Sequence, residues 1–107
     1  MANGRLGTPA DLSATTNTTI YTCPANTFTV ANITFCNRNA SAVTVRLGLA
    51  SSDTPGNAEW LEYGSTIPAN SVLERTGLVL DPGKKLVAYA STTGVNAIAY
   101  GIETSTT

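Results

Sequence analysis

The stretch Val43-Thr44-Val45-Arg46-Leu47-Gly48-Leu49 decides the fold. Every second residue is a branched apolar side chain, and the residues between them are small, polar or charged. Successive side chains of an extended chain point to opposite faces, so a period of two marks a strand half buried against a core; an amphipathic helix needs apolar residues three and four apart. Outward from it, residues 27–36, 60–63, 72–80, 86–90 and 95–102 follow the same logic, the last placing Ile98, Tyr100 and Ile102 on one face. With the short segment 20–23, about seven strands and no helix are predicted.

Turn chemistry separates these segments. Cys23-Pro24-Ala25-Asn26-Thr27, Ile67-Pro68-Ala69-Asn70-Ser71 and Asp81-Pro82-Gly83-Lys84-Lys85 each set a proline where its fixed φ begins a β-turn. Asn39-Ala40-Ser41-Ala42 and Thr92-Thr93-Gly94 supply two more tight connections, and residues 51–58 form the one long loop. The twice-occurring Pro-Ala-Asn is turn convergence rather than a repeat, because Thr27-Phe28-Thr29-Val30 after the first and Ser71-Val72-Leu73-Glu74 after the second differ. Short strands at this spacing predict an all-β, single-domain antiparallel β-sandwich, jelly-roll or immunoglobulin-like. The expected division is an extended N-terminal arm over 1–19 and the sandwich over 20–107. In 1–19 only Leu6 and Leu12 are sizeable apolar groups, too few for a periodic face. That arm and the 51–58 loop are the expected mobile regions, where contacts with partners concentrate.

A chain of 107 residues suits one core and needs no metal or disulfide staple. With 12% charged residues and a net charge of -1, it has neither a basic field for phosphates nor an acidic field for cations, so nucleic acid is not an expected partner. A neutral polar surface of Thr, Ser, Asn, Ala and Gly suits life in an assembly. No apolar run reaches the roughly 20 residues of a membrane-spanning helix, and residues 1–5 do not open a secretory leader, so neither membrane nor export is expected. Three acceptor-like triplets at Asn17, Asn32 and Asn39 are then chance occurrences in a Thr- and Asn-rich chain. Cys23 and Cys36 make no disulfide framework. If 20–23 and 28–36 pair as a hairpin, Cys36 lies about eight residues beyond the partner of Cys23, too far to bridge, and both are expected reduced.

The absence of histidine removes Ser-His and Cys-His nucleophile pairs and the commonest metal ligand. Of the seven carboxylates only Glu59 and Glu62 are near neighbours, and residues three apart on a strand face opposite ways unless a bulge intervenes. No phosphate loop, zinc spacing or calcium loop is present, so no catalytic, cofactor or metal residues and no small-molecule substrate are expected. Trp60 and Tyr63 are the one constellation that could act as a platform; core packing, a subunit interface and a sugar site all stand open for them, in that order. Leu6, Leu12, Trp60 and Tyr63 are the candidate interface residues. Glu74-Arg75 and Lys84-Lys85 fall on one predicted hairpin, either as a cross-strand ion pair or as the charged guard of an edge strand.

The run from Ile67 to Leu86, IPANSVLERTGLVLDPGKKL, resembles the core of small virion structural proteins of tailed bacteriophages. The likeness continues into Tyr100-Gly101-Ile102-Glu103, and earlier into Thr18-Thr19-Ile20-Tyr21-Thr22-Cys23-Pro24-Ala25-Asn26 and Phe35-Cys36-Asn37-Arg38, covering most of 15–103. That family often carries Val where Cys23 stands. The resemblance implies a non-enzymatic virion protein, assembled in the reducing cytoplasm of a bacterial host and partnered by the major capsid protein and copies of itself. A capsid decoration or cement protein is the leading expectation. A tail, collar or baseplate component is the alternative, and a carbohydrate-binding adhesin using Trp60 and Tyr63 is a third. The resemblance carries no catalytic or ligand residues with it.

Overall fold

A computed structural model describes residues 3–106. They form eight strands: β1 (Asn3–Asp11), β2 (Thr18–Thr22), β3 (Thr27–Asn37), β4 (Val43–Ala50), β5 (Trp60–Ile67), β6 (Val72–Leu80), β7 (Lys85–Ala90) and β8 (Val95–Ser105). Two four-stranded sheets result, sheet A in the order β1-β8-β3-β6 and sheet B in the order β2-β7-β4-β5. All six strand pairings are antiparallel, and an isolated bridge between Ala14 and Ala90 is parallel. Only β4 and β5 are consecutive strands paired with each other; every other connection crosses from one sheet to the other, which is the winding of a jelly roll.

The deciding stretch behaves as its period requires. Val43, Val45 and Leu47 are buried and point inward, while Thr44 and Arg46 point out. Facing them across the core, Ala31, Ile33 and Phe35 of β3 and Ala97 and Ala99 of β8 are all essentially inaccessible. Small and large residues alternate across sheet A: Ala99 lies between Leu6 and Ile33, so the alanine leaves room for the two branched chains beside it.

The N-terminal arm is not present as such. Residues 3–11 are β1, hydrogen-bonded along β8, and Leu6 and Leu12 are 0% and 2% exposed in the shared core. The strand fully buries one side chain and packs Ala10 partly against the core, which is too little to produce a readable period, and its register breaks between Leu6 and Ala10. Gly7, at φ 64°, permits the break: a Cβ there would lie 2.2 Å from the carbonyl oxygen of Ile20, so only glycine lets β1 press against β2.

Both predicted hairpins are also absent. β2 and β3 lie in different sheets, as do β6 and β7, so the turns at Pro24 and Pro82 connect across the core rather than within a sheet. In the two Pro-Ala-Asn turns the asparagine is left-handed, with φ 56° at Asn26 and 54° at Asn70, and Ser71 N–H donates to the Pro68 carbonyl. Cys23 and Cys36 are free thiols, the first buried near Thr27, Thr29 and Leu80, the second on the outward side of β3. The charges assigned to one hairpin pair elsewhere. Arg75 on edge strand β6 meets Glu62 on edge strand β5, closing the sandwich along that side, and Lys84 and Lys85 pair with Asp81 and Asp53.

Candidate functional site

The outward side of sheet A is apolar at one end. The inward set Ala31, Ile33 and Phe35 fixes the parity of β3, so Thr27 and Thr29 must point in, and Phe28 and Val30 must point out. Val30 is paired with Val79 of β6 on one side and Ile102 of β8 on the other. This row of three crosses three of the sheet's four strands with exposures of 41%, 60% and 57%, and Phe28 stands next to it on β3 at 38%. At the other end of the same side Val72, opposite Cys36, is also exposed. Between the two ends sits a polar group: the Tyr100 hydroxyl donates to Glu74 Oε2 at 2.5 Å, and the Thr34 hydroxyl lies 3.4 Å from that oxygen and 3.3 Å from the tyrosine oxygen. A contiguous exposed apolar row bounded by polar residues is the pattern of a protein-binding surface.

The outward side of sheet B is built differently. Arg46 on β4 is flanked by Tyr63 of β5 and Tyr89 of β7, its register partners, and the guanidinium carbon lies 4.1 Å and 4.4 Å from the two ring centroids. Trp60 meets Tyr63 edge-on at 5.3 Å. The register shift between Leu47 and Gly48, which leaves Leu61 without a β4 partner, brings Trp60 and Tyr63 to the same side although they lie three positions apart; a second shift, at Gly64 with φ 84°, follows the pair. Beyond them the 51–59 loop folds back over the sheet. Pro55 packs where a side chain on Gly48 would stand, a Cβ there meeting the proline at 2.7 Å.

That loop is anchored by contacts of its own. Asp53 accepts from the Thr19 hydroxyl at 2.6 Å and lies 3.6 Å from Lys85 Nζ; these partners, the hydroxyl first, hold its carboxyl below the usual range. Glu59 accepts from the backbone N–H groups of Gly56 and Ser51, and those amides hold it low as well. Each carboxylate thus favours its charged form through hydrogen bonds made to that form.

The predicted site residues separate into two groups. Leu6 and Leu12 lie in the chain's own core, so in this fold they offer no accessible surface. Trp60 is half-buried and Tyr63 is 63% exposed, together on the sheet B side. Glu59 and Glu62 do not converge despite the intervening bulge: Glu59 ties the loop, while Glu62 is engaged by Arg75 and the Ser65 hydroxyl. Among the described residues no group of three or more His, Cys, Asp or Glu comes together to hold a metal ion.

Neither a protein-family model nor a curated protein matches the sequence. One similar solved structure is a chain of the cyanophage Pam1 capsid asymmetric unit, 13% identical, covering 92% of this chain and 82% of that one with a TM-score of 0.40.

Sequence reasoning missed Phe28, Val30, Val79 and Ile102 as surface groups. Their size alone suggests a core; the parity set by Ile33 and Phe35 turns Phe28 and Val30 outward, and pairing with Val30 puts Val79 and Ile102 on the same side. Arg46 and Tyr89 were missed because the distance between them in sequence hides their adjacency in the sheet.

Proposed function

We propose that the chain is a non-enzymatic structural subunit of a tailed-bacteriophage virion, seated on the head as a decoration or cement protein. The outward row of Val30, Val79 and Ile102 with Phe28 carries this reading, because it is an apolar surface that water covers only at a cost. The stretch from Ile67 to Leu86 and its phage-virion resemblance support it from the sequence side. Its partners would be the major capsid protein and further copies of the chain, with the row facing the shell and assembly taking place in the host cytoplasm. Each contact need be only modest: burying one such side chain contributes roughly 1.5 kcal/mol, and many copies on one lattice act together. A ligand that binds only the assembled shell stabilises it by mass action.

Electron cryo-microscopy of intact particles tests the proposal. The expected result is density for this sandwich repeated over the head lattice, with the β3–β6–β8 side against the shell. Density confined to the neck or tail would replace the cement role with that of a tail or collar component, and absence from particles would remove the virion role altogether.

A further inference from the structure

We propose that Arg46, flanked by Tyr63 and Tyr89, is a binding site for a carboxylate supplied by a partner protein. The guanidinium carbon lies 4.1 Å and 4.4 Å from the two ring centroids, one ring from the strand on each side of β4, so the group is flanked by aromatic rings while its N–H groups are left to bind. Cation–π contact from two sides restricts where the guanidinium can sit, and its planar fork matches the two oxygens of a carboxylate. The guanidinium makes no hydrogen bond or ion pair among the described residues, and neither do the hydroxyls of Tyr63 and Tyr89 or the indole N–H of Trp60. One side of the molecule therefore gathers several uncommitted donors.

The chain's own acids cannot serve this site. All seven side-chain carboxylates already have partners: Asp11 with Arg38, Asp53 with Thr19 and Lys85, Glu59 with the loop amides, Glu62 with Arg75, Glu74 with Tyr100, Asp81 with Lys84, and Glu103 with Tyr21. Four of the six basic side chains are taken up in those pairs; Arg5 sits on sheet A, and Arg46 alone faces outward from sheet B without an acid. The anion must come from another molecule. One guanidinium with no second cation beside it suits a monoanion better than a phosphate dianion. A sugar platform is disfavoured, because the tyrosine faces that turn into the cluster are already covered by the guanidinium. An Asp or Glu side chain of a neighbouring protein is the occupant that fits.

The test is a titration of the full chain, labelled with nitrogen-15, followed through the Arg46 Nε–H and Trp60 indole N–H signals. The probe is N-acetyl-glutamate N-methylamide, added up to roughly 100 mM because an isolated exposed pair is weak. Both signals should shift and saturate with the glutamate probe, while the glutamine analogue leaves them unmoved. Arg46→Lys should keep the folded amide spectrum and bind about tenfold more weakly, since a lysine cannot offer the planar fork. Tyr89→Leu, which removes one wall and keeps the charge, should also weaken binding. Equal shifts at Arg5 or Arg38, an equal response to the glutamine analogue, or an Arg46→Lys protein that binds as well would each overturn the site. Saturation by glucuronate at lower concentration than by the glutamate probe would overturn the protein partner in favour of an acidic sugar. None of these readouts depends on whether the chain sits on a phage head.

Discussion

Asn37 is 1% exposed at the end of β3, and its side chain ties three connections together. Its Nδ2 donates to the carbonyls of Ser41, Ile67 and Pro68, and its Oδ1 accepts from the backbone and side-chain N–H groups of Asn39, which in turn reaches the Thr93 carbonyl. Buried carbonyls left without donors cost about 1 to 3 kcal/mol each, so Asn37→Ala should lower unfolding free energy in urea by about 2 to 3 kcal/mol. Asn37→Asp, close in shape but without the donors, should do no better; wild-type stability for it would show that the carbonyls have other partners. Tyr21 gives a pH signature at the same scale. Its hydroxyl, buried between Thr29 and Glu103, is pushed well above its ordinary 10.0 by burial first and by donation to the Glu103 carboxylate second. The folded state thus keeps a proton that the unfolded chain loses above pH 10, and stability contributed by Tyr21 is complete below that pH and falls above it. One such group gives a slope of about 1.4 kcal/mol per pH unit. Urea midpoints followed across that range should fall more steeply for wild type than for Tyr21→Phe. Neither residue was legible beforehand: Asn37 reads as one more polar residue beside a turn, and Tyr21 lies 82 positions from its carboxylate.

At the scale of elements, β1 and the 51–59 loop carry the largest differences from what the sequence suggests. Alternation was legible wherever a strand fully buries several side chains on one face, as in β3 and β4; β1 fully buries one, and its contribution comes from pairing with β8 instead. Deleting residues 1–16 should therefore unfold the domain, not shorten an arm. Leu6→Ala tests this more gently. Truncating a fully buried leucine costs about 2 to 5 kcal/mol, and urea unfolding should show a loss in that range. A change under about 0.5 kcal/mol, typical of surface positions, would restore the picture of an arm. For the loop, Glu59→Ala removes the acceptor shared by Ser51 and Gly56 while touching no core residue. Its expected effect is local: altered Trp60 fluorescence and faster amide exchange over 51–59, with the urea midpoint close to wild type. Acid should mimic it, because a carboxyl held low stabilises its contacts above its ordinary 4.5 and loses that contribution as pH falls through the depressed value.

At the scale of the whole molecule, a jelly roll leaves two outward sides that differ in chemistry, an apolar row on sheet A and Arg46 between two tyrosines on sheet B. Strand number and turn positions could be read along the chain, but the exchange of strands between sheets could not, since a turn looks alike whether it joins neighbours or crosses a core. That exchange decides which residues face outward together: Val30, Val79 and Ile102 come from three strands far apart in sequence and meet only in sheet A. Val79 is the best place to probe the docking role, because at 60% exposure a lysine there should change stability by no more than about 0.5 kcal/mol. In a closed apolar contact the same ammonium would lose water without gaining a partner, a penalty of at least about 1.4 kcal/mol and so at least tenfold in affinity per contact. Particles assembled with Val79→Lys should carry fewer copies of this chain on the head, whereas Thr44→Lys, on the opposite side, should leave occupancy unchanged. Protein-to-shell ratios from purified particles read both. If Thr44→Lys empties the lattice and Val79→Lys does not, the shell is gripped through the Arg46 side, and the apolar row of sheet A must instead meet something other than the shell.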